Sequence, residues 1–236
     1  MSGGHQAVNK HRFFVDADVF GDKVTITDAN MLRQWKTVLR LKLGSDVVLV
    51  AQGVEASGVI ESWDKSGATI AVMNRATVAR EPGRAITLYC SLLKRENFEW
   101  VAQKAVEVGV TRIVPVKAER TVKLGFRRER LEAIIREAAE QSGRLTLPQL
   151  TEPMTVAEAI ADSAPINHRY FFVVEGGEKI GVQDQESVAA FIGPEGGWSE
   201  AEQLSAVAAD IKKASLGPLV LRAETAAIIA TYCLGL

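Results

Sequence analysis

The stretch "FIGPEGGWS", Phe191 to Ser199, joins a short apolar run to the start of a helix. The residues before and into it, "SVAA" and then "FI", make a run of the length of a buried strand. Ser199 and Glu202 have the spacing of a capping box, in which each side chain accepts a hydrogen bond from the other residue's backbone amide. The stretch therefore predicts a strand, a tight glycine-rich loop and then a helix.

The chain around this stretch alternates between strand-like and helix-like segments. Apolar runs of strand length are "AITLYCSLL", "TRIVPV" and "RYFFVVEGG", and segments of helical periodicity are "NFEWVAQKAVEVG" and "RRERLEAIIREAAEQSG". Such alternation is typical of parallel strands with helices on both faces of the sheet. The second part of the chain is therefore predicted to be an α/β domain.

Residues 13–73 have a different pattern. Short β runs are separated by Gly and Asp, with one helical interruption, "NMLRQWKTVLRL", in which Leu32, Trp35, Val38 and Leu39 recur at helical spacing. This pattern predicts a small β barrel. The charged segment "VAREPGRA" follows, and its Pro82 and Gly83 favour a linker. We therefore predict two domains, residues 1–77 and residues 78–236.

The composition is that of an ordinary globular protein. The chain has 236 residues, of which 47% are hydrophobic and 24% are charged. It contains no apolar stretch of the roughly 18 residues that a membrane span needs. Its first residues, "MSGGHQAVNKHRFF", lack the apolar centre of a signal peptide. A cytoplasmic protein that does not contact membranes is therefore expected.

Metal and redox chemistry are not expected. Cys90 and Cys233 lie in apolar surroundings far apart in the sequence, which favours a role as small hydrophobic residues. The three histidines are scattered and form no pattern of zinc ligands.

Charge is distributed unevenly, although the net charge is only −1. Residues 1–44 carry 7 Lys and Arg against 4 acids, and residues 94–144 carry 12 against 8. Residues 145–236 carry 5 basic and 12 acidic residues. The two basic segments could form one positive face for a phosphate backbone, because that attraction depends on local potential. Solvated helix faces remain the alternative interpretation.

Glycine follows the predicted strands at three places: residues 175–177, residues 193–197 and Gly217. In open α/β sheets, ligands bind beyond the carboxyl ends of the strands, and glycine there lets backbone amides approach a ligand. The three loops therefore predict one pocket. None of them has the Walker or dinucleotide-binding glycine pattern, which disfavours both common nucleotide-binding interpretations.

Seven segments along the chain resemble one family. They are "HRFF" at 11–14, "VLRLKLGS" at 38–45, "EWVAQKAVEVGVTRIVPV" at 99–116, "ER" at 119–120, "EAAEQSGR" at 137–144, "FIGPEGGWSEAE" at 191–202 and "SLGPLVLRAETAA" at 215–227. The sequence is similar to the RsmE family, the ribosomal RNA small subunit methyltransferases E of the SPOUT superfamily. The matches run in order over nearly the whole chain.

This resemblance implies a fold and an activity. Residues 1–77 would form a PUA-like RNA-binding β barrel. Residues 78–236 would form a SPOUT α/β domain with a C-terminal trefoil knot and pair with a second copy as a homodimer. The protein would transfer a methyl group from S-adenosyl-L-methionine to N3 of one uridine in 16S rRNA of the small ribosomal subunit, giving 3-methyluridine.

The cofactor is expected to bind at the three glycine loops. S-adenosylmethionine has no phosphates, so apolar walls with backbone donors and acceptors suffice. By resemblance, Glu175 contacts the ribose, although this chain has "VEGG" where the family usually has residues like "HPEG". The complete set of expected cofactor-binding residues is Glu175, Gly176, Ile192, Gly193, Pro194, Glu195, Gly196, Gly197, Leu216, Gly217, Leu219, Val220, Leu221 and Thr225.

Arg222 and Glu224 are the expected catalytic residues. N3 of uridine carries a proton that must leave, and a guanidinium near O2 or O4 would stabilise the resulting anion. Arg222 fits that role, and either Glu224 or solvent would take the proton. The structural alternatives for Arg222 are an ion pair with Glu224 or a solvated position at the start of a helix, and the alternative for Glu224 is a favourable place for an acid near a helix N-terminus. For Glu195 the alternative is a carboxylate that fixes its own turn.

RNA contacts are expected from both halves of the chain. Each basic residue alone is ordinary surface charge, but together they coincide with the positive segments and the family motifs. The expected RNA-binding residues are Arg12, Arg33, Arg40, Lys42, Lys94, Arg95, Gln103, Lys104, Arg120 and Arg144. Phosphate contacts of this kind predict binding that weakens steeply with salt.

The final segment, "TAAIIATYCLGL", is apolar on nearly every side and too short to span a membrane, so burial in a subunit interface is expected. Two other functions remain open. One is methylation of another RNA position, such as a ribose 2′-hydroxyl, and the other is a non-catalytic RNA-binding role in ribosome assembly.

Overall fold

The computed structural model describes residues 11–77, 81, 83–121, 125–180 and 187–235. The described part of the chain falls into two compact units. The first ends at residue 80 and also takes in Gly143–Thr146, and the second comprises the rest. Most of the expected linker "VAREPGRA", including Pro82, lies outside the described residues.

The first unit is built on a five-stranded sheet. Its strands are β1 (His11–Phe14), β2 (Lys23–Ile26), β3 (Asp46–Ala51), β4 (Val54–Trp63) and β5 (Ala68–Ala76). Their order is β1-β3-β4-β5-β2, with β1 parallel to β3 and the other pairs antiparallel. Gly67 begins the return from β4 at a φ of +147°, and a Cβ there would lie 2.1 Å from the carbonyl oxygen of Ile26. Only glycine fits that turn.

Between β2 and β3, the chain forms the expected helical interruption as α1 (Ala29–Arg33) and a π-helical segment (Gln34–Val38). Trp35 is fully buried at the centre of this unit, 4.7 Å from the Phe13 ring. Val38 does not join this apolar face and is 69% exposed. The amide of Leu39 bonds to the carbonyl of Gln34, five residues back, so the wider turn rotates Val38 outward.

The second unit is an α/β domain with a parallel sheet, which confirms that part of the predicted fold class. Its strands run in the order β11-β13-β10-β12-β6-β7-β8, and β9 also pairs with β7. All of these pairings are parallel. The strands are β6 (Ala85–Ser91), β7 (Arg112–Lys117), β8 (Gln149–Leu150), β9 (Met154–Thr155), β10 (His168–Phe172), β11 (Glu178–Lys179), β12 (Ser187–Ile192) and β13 (Lys212–Ser215).

Five helices accompany the described part of this sheet: α2 (Arg95–Glu107), α3 (Arg128–Ser142), α4 (Val156–Asp162), α5 (Glu200–Ala208) and α6 (Ala223–Gly235). The predicted capping box at the start of α5 is confirmed. The Ser199 amide donates to Glu202 at 2.8 Å, and the Glu202 amide donates to the Ser199 hydroxyl at 3.4 Å. No helix within the described residues has the length and apolar character that crossing a bilayer requires.

An aromatic stack runs through the core of the second unit to the glycine loop. The Tyr89 and Phe191 rings lie parallel at 4.3 Å, because β6 and β12 place these residues opposite each other. Phe171 on β10 follows, and its ring lies 4.4 Å from that of Trp198. Trp198 is the last residue before the cap of α5, so the stack anchors this loop to the sheet.

A polar cluster closes the other end of the stack. Asp162 accepts a hydrogen bond from Tyr89 at 2.5 Å and two from Arg112, at 2.7 and 3.0 Å. The bonds from Arg112 hold the pKa of Asp162 below its ordinary value. Burial and then the Asp162 hydrogen bond raise the pKa of Tyr89. The cluster fixes the end of α4 to β6 and β7.

Replacing Asp162 with asparagine is expected to lower the free energy of unfolding by about 1.5–3 kcal/mol at pH 7, the range for hydrogen bonds to charged groups. Because folding depresses its pKa, Asp162 contributes this stability above about pH 4 and loses it as the pH falls through its folded pKa. Urea unfolding at pH 7 and at about pH 3 should show the difference from wild type shrinking at low pH. Glu137→Gln, an exposed change on α3, is the control, and a difference that grows at low pH would contradict the prediction.

Candidate active site

A cavity of about 1200 Å³ lies in the second unit, at the carboxyl edge of its sheet. Three segments form most of its wall: residues 172–175 after β10, residues 192–198 after β12, and residues 215–226 after β13. Because neighbouring parallel strands end at the same edge, these loops meet although they are far apart in sequence. The structure therefore brings together the three loops that the sequence singled out.

Nearly all of the expected cofactor-binding residues line this cavity. The exceptions are Gly176, which follows Glu175 at a φ of +73°, and Thr225, in the first turn of α6. The expected residues in the wall are Glu175, Ile192, Gly193, Pro194, Glu195, Gly196, Gly197, Leu216, Gly217, Leu219, Val220 and Leu221. Their binding role stays a prediction, but their common location fits it.

The glycine loop is a tight turn held against Trp198. The amide of Gly197 donates to the carbonyl of Pro194 at 2.8 Å, and Gly197 has a φ of +67°. The Trp198 indole donates to the carbonyl of Phe172 at 3.1 Å. A Cβ on Gly193 would lie 3.1 Å from the indole ring, closer than ordinary van der Waals contact. These contacts explain the glycines of "GPEGG" as close packing and turn geometry.

The segment after β13 supplies an apolar wall. Gly217 has a φ of +126°, and its amide donates to the Ser215 hydroxyl at 3.3 Å. Leu219 and Val220 then project into the cavity with 77% and 75% of their surface exposed. Large apolar side chains exposed at a cavity are typical of a surface that is covered by a ligand or a partner.

Arg222 and Glu224 line the same cavity at the start of α6. The carbonyl of Arg222 accepts the first helical hydrogen bond, from Ala226 at 2.9 Å. Of the two alternatives for Arg222, the ion pair with Glu224 is not formed by these described residues, which leaves the solvated helix start. The Arg222 side chain is exposed.

One oxygen of Glu224 is buried and has no hydrogen-bond partner among the described residues. A buried carboxylate oxygen of this kind is costly unless a donor reaches it, so the site fits a ligand that carries one. Burial, and then the charges of Glu195 and Glu224, raise the pKa of the Cys90 thiol. Cys90 is therefore unreactive, in line with its predicted role as a small hydrophobic residue.

The sequence did not single out several residues of the cavity wall. Trp198 could have been predicted to line the cavity, because it follows the glycine loop directly in the sequence. Asn97 lies in the first turn of α2, beyond the end of β6, and only the strand order brings it to this edge. The other missed residues are Phe172, Val173, Val174, Gln203, Ser215, Ala223 and Ala226.

The expected RNA-binding residues fall into three groups. Exposed basic residues are Arg33, Arg40 and Lys42 in the first unit and Lys94, Arg95 and Arg120 in the second. Lys94 and Arg120 also line the cavity. Gln103 and Lys104 are half-buried on α2, where Lys104 pairs with Glu107 at 2.8 Å. For these residues RNA contact stays a prediction.

Arg12 and Arg144 form the third group and belong to the first unit, where Arg144 is buried and Arg12 is partly buried. Arg144 is 3% exposed, and the Arg12 side chain is 11% exposed. Arg12 pairs with Glu55 and donates to the carbonyl of Arg144 at 2.9 Å. Arg12 thus ties Gly143–Thr146 to the sheet of this unit. Their placement favours this structural role over the predicted RNA contact, because a phosphate has little access to either side chain.

No group of three or more potential metal ligands occurs among the described residues. The cavity wall offers apolar side chains, backbone groups, three acids (Glu175, Glu195 and Glu224) and three cations (Lys94, Arg120 and Arg222).

Comparison with known proteins shows which class of protein this chain belongs to. Residues 80–235 match the model of the RNA methyltransferase domain, which is more than half of the chain. The crystal structure of a ribosomal RNA small subunit methyltransferase E from Neisseria gonorrhoeae, bound to S-adenosyl methionine, superposes with a TM-score of 0.85. It is 29% identical, and the match covers 95% of this chain and 96% of that one. The structure of a putative methyltransferase from Legionella pneumophila, in complex with the same cofactor, superposes with a TM-score of 0.84 at 28% identity. The match covers 95% of this chain and 96% of that one.

A curated relative gives the family. The ribosomal RNA small subunit methyltransferase E of Synechocystis is 30% identical, over 88% of this chain and 71% of that protein. The chain therefore belongs to the ribosomal RNA small subunit methyltransferase E family, which confirms the resemblance stated from the sequence motifs.

Proposed function

We propose that this protein transfers a methyl group from S-adenosylmethionine to N3 of one specific uridine in 16S rRNA. The observation that carries the proposal is the meeting of three glycine-containing loops around one cavity in an RNA methyltransferase domain. Two similar solved proteins hold S-adenosylmethionine, which supports the same cofactor here.

The cavity wall fits that cofactor. Leu216, Leu219 and Leu221 offer an apolar face to an adenine, and the Gly193–Gly197 loop lines the same cavity. The unpartnered oxygen of Glu224 is an acceptor that fits a hydroxyl or ammonium donor of the cofactor. When bound, S-adenosylmethionine supplies an electrophilic methyl group on its sulfonium.

Arg222 is proposed to stabilise the substrate as its N3 proton leaves. Uracil holds that proton at neutral pH, and its anion carries charge on O2 and O4. A guanidinium beside one of these oxygens favours the anion electrostatically. The exposed Arg222 side chain lines the cavity and makes no ion pair with the described residues, so it is available for this contact. Glu224 or solvent takes the proton. Holding N3 in line with the methyl group provides the remaining rate acceleration.

The first unit is proposed to be a PUA-like barrel that binds RNA. Its exposed cations Arg33, Arg40 and Lys42 support this role, together with Lys94 and Arg95 in the second unit. N3 lies on the pairing edge of the base, so the target uridine must be unpaired or extruded from its helix. The cavity volume of about 1200 Å³ leaves room for a nucleotide beside the cofactor.

The second unit is also proposed to form a homodimer in the cytoplasm, with a trefoil knot in each chain. Tyr232 on α6 is 52% exposed, and Trp100 is exposed on α2, which packs against α6. These apolar surfaces support a subunit interface. Sedimentation should give about twice the chain mass of 25.6 kDa, and a single-chain mass would contradict the dimer. The knot is proposed from membership of the family, and the crossing of the chain from β13 to α6, which packs on β12 and β6, is compatible with it.

Nucleoside analysis tests the proposed reaction. In 16S rRNA from cells that lack this gene, 3-methyluridine should be absent and should return when the wild-type gene is restored. Persistent 3-methyluridine together with loss of another methylated nucleoside would instead indicate another RNA position. Calorimetry with purified protein tests the enzymatic role itself, because the absence of heat with S-adenosylmethionine at high protein concentration would favour a non-catalytic RNA-binding protein.

A further inference from the structure

The turn Ala118–Thr121 after β7 is fixed to the start of α5. The turn closes on itself, because the amide of Thr121 donates to the carbonyl of Ala118 at 3.0 Å and the amide of Ala118 donates to the Thr121 hydroxyl at 3.1 Å. Glu202 accepts the amide of Glu119 at 2.8 Å with one oxygen, while its other oxygen completes the capping box of α5. One carboxylate therefore fixes the turn relative to the helix that follows the glycine loop.

Arg120 extends from this turn to the glycine loop. Its guanidinium donates to the carbonyl of Gly196 at 2.9 Å. Its aliphatic stem lies against the same residue, since a Cβ on Gly196 would be 3.2 Å from the Arg120 Cβ and 3.5 Å from its Cδ. Arg120 and Gly196 both line the cavity. A residue with a Cβ at position 196 would press on the arginine stem.

We propose that Arg120 is a positioning residue that holds the Gly196 carbonyl, and with it the Gly193–Gly197 loop, in the form that receives the methyl donor. The inference rests on the proposed function. Within the loop, the described backbone hydrogen bond runs from the Gly197 amide to the Pro194 carbonyl. The hydrogen bond from Arg120 adds a second point of attachment. Because the guanidinium is charged, this bond is of the stronger kind. This role differs from the phosphate contact that the sequence suggested for Arg120.

Arg120→Ala is expected to raise the Kd for S-adenosylmethionine about 5- to 30-fold, which is less than the full effect of losing one charged hydrogen bond because the Arg120 side chain is exposed. In turnover assays, the KM for S-adenosylmethionine should rise by a larger factor than kcat falls. The dependence of RNA affinity on salt should stay unchanged, whereas loss of a phosphate contact would lower the slope by about one. Without cofactor, residues 193–204 should exchange amide hydrogens faster than in the wild type.

Gly196→Ala provides the second variant. Its φ is not positive, so alanine is expected to act through the crowded Arg120 stem. Alone it should weaken cofactor binding, and in the Arg120→Ala background its effect should be smaller, because the contacts with Cγ and Cδ of the arginine are gone and only the Cβ contact at 3.2 Å remains. Additive effects of the two changes would overturn the proposal.

Arg127→Ala is the matched control, because Arg127 is exposed in the same unit and lies outside the cavity wall. A wild-type protein that does not bind S-adenosylmethionine would contradict the proposed function. A wild-type protein that binds it, with Arg120→Ala binding equally well and exchanging no faster, would overturn the positioning role alone. A reduced salt slope with unchanged cofactor affinity would assign Arg120 to RNA instead.

Discussion

Arg222→Ala is expected to lower kcat about 100- to 1000-fold, the effect of removing one preorganised donor to a developing oxyanion. The Kd for S-adenosylmethionine should change by less than about threefold, because the proposed contact of the Arg222 side chain is with the uracil and not with the cofactor. Single-turnover methylation of 16S rRNA at saturating cofactor measures the first quantity, and calorimetry measures the second.

The chemical reason is the charge of the uracil. Before the proton leaves N3, a guanidinium near O2 or O4 bonds a neutral carbonyl oxygen, and afterwards it faces a negative charge, which strengthens the bond further. The interaction therefore strengthens on the way to the transition state, which is the condition for a change in kcat. The Arg222 guanidinium forms no ion pair with the described residues, so its contact with a uracil oxygen would not break an existing ion pair.

A second variant separates charge from geometry. Arg222→Lys keeps the positive charge and is expected to recover part of the lost rate, but a lysine lacks the planar guanidinium fork. A rise in pH should also partly rescue Arg222→Ala, because the uracil anion becomes more populated in solution. Turnover of Arg222→Ala within about twofold of wild type would end the assignment. Arg127→Ala serves as the control for general loss of positive charge.

The strand-loop-helix unit around residues 191–202 could be predicted because its signals are local. A buried strand, a glycine loop and a capping box each depend on residues only a few positions apart. The meeting of the three loops followed from one general rule, that parallel strands end at a common edge. The short helix α4 has its own capping box, Thr155 with Glu158, but its seven residues give too little periodicity to identify a helix.

The fate of individual arginines could not be predicted, because it depends on contacts between distant segments. Arg12 pairs with Glu55 and donates to the carbonyl of Arg144, 132 positions away, so that its side chain is only 11% exposed. Arg120 meets the carbonyl of Gly196, 76 positions away. In the sequence, each of these arginines resembles the exposed Arg33. A charge pattern indicates where a positive surface can form, but the tertiary partners decide which side chains remain on it.

Trp198→Ala is the second change for which a large effect is expected. The indole is buried between the Phe171 ring and Gly193, and it donates to the carbonyl of Phe172. Removing it should lower the free energy of unfolding by about 3–5 kcal/mol, as for other buried aromatic residues. Cofactor binding should fall by more than the effect of Arg120→Ala, since the glycine loop loses the surface on which it packs. Urea unfolding and calorimetry with S-adenosylmethionine measure the two effects.

Trp198→Phe distinguishes packing from hydrogen bonding. Phenylalanine keeps an aromatic ring beside Phe171 but cannot donate to Phe172, so the loss in stability should be only about 1–3 kcal/mol, the range for one buried group left without its partner. Cofactor affinity should remain closer to wild type than in Trp198→Ala. If Trp198→Ala unfolds with wild-type stability and binds the cofactor normally, the aromatic stack does not support the loop. Equal losses in the two variants would mean that the hydrogen bond to Phe172, and not the packing against Gly193, holds the loop in place.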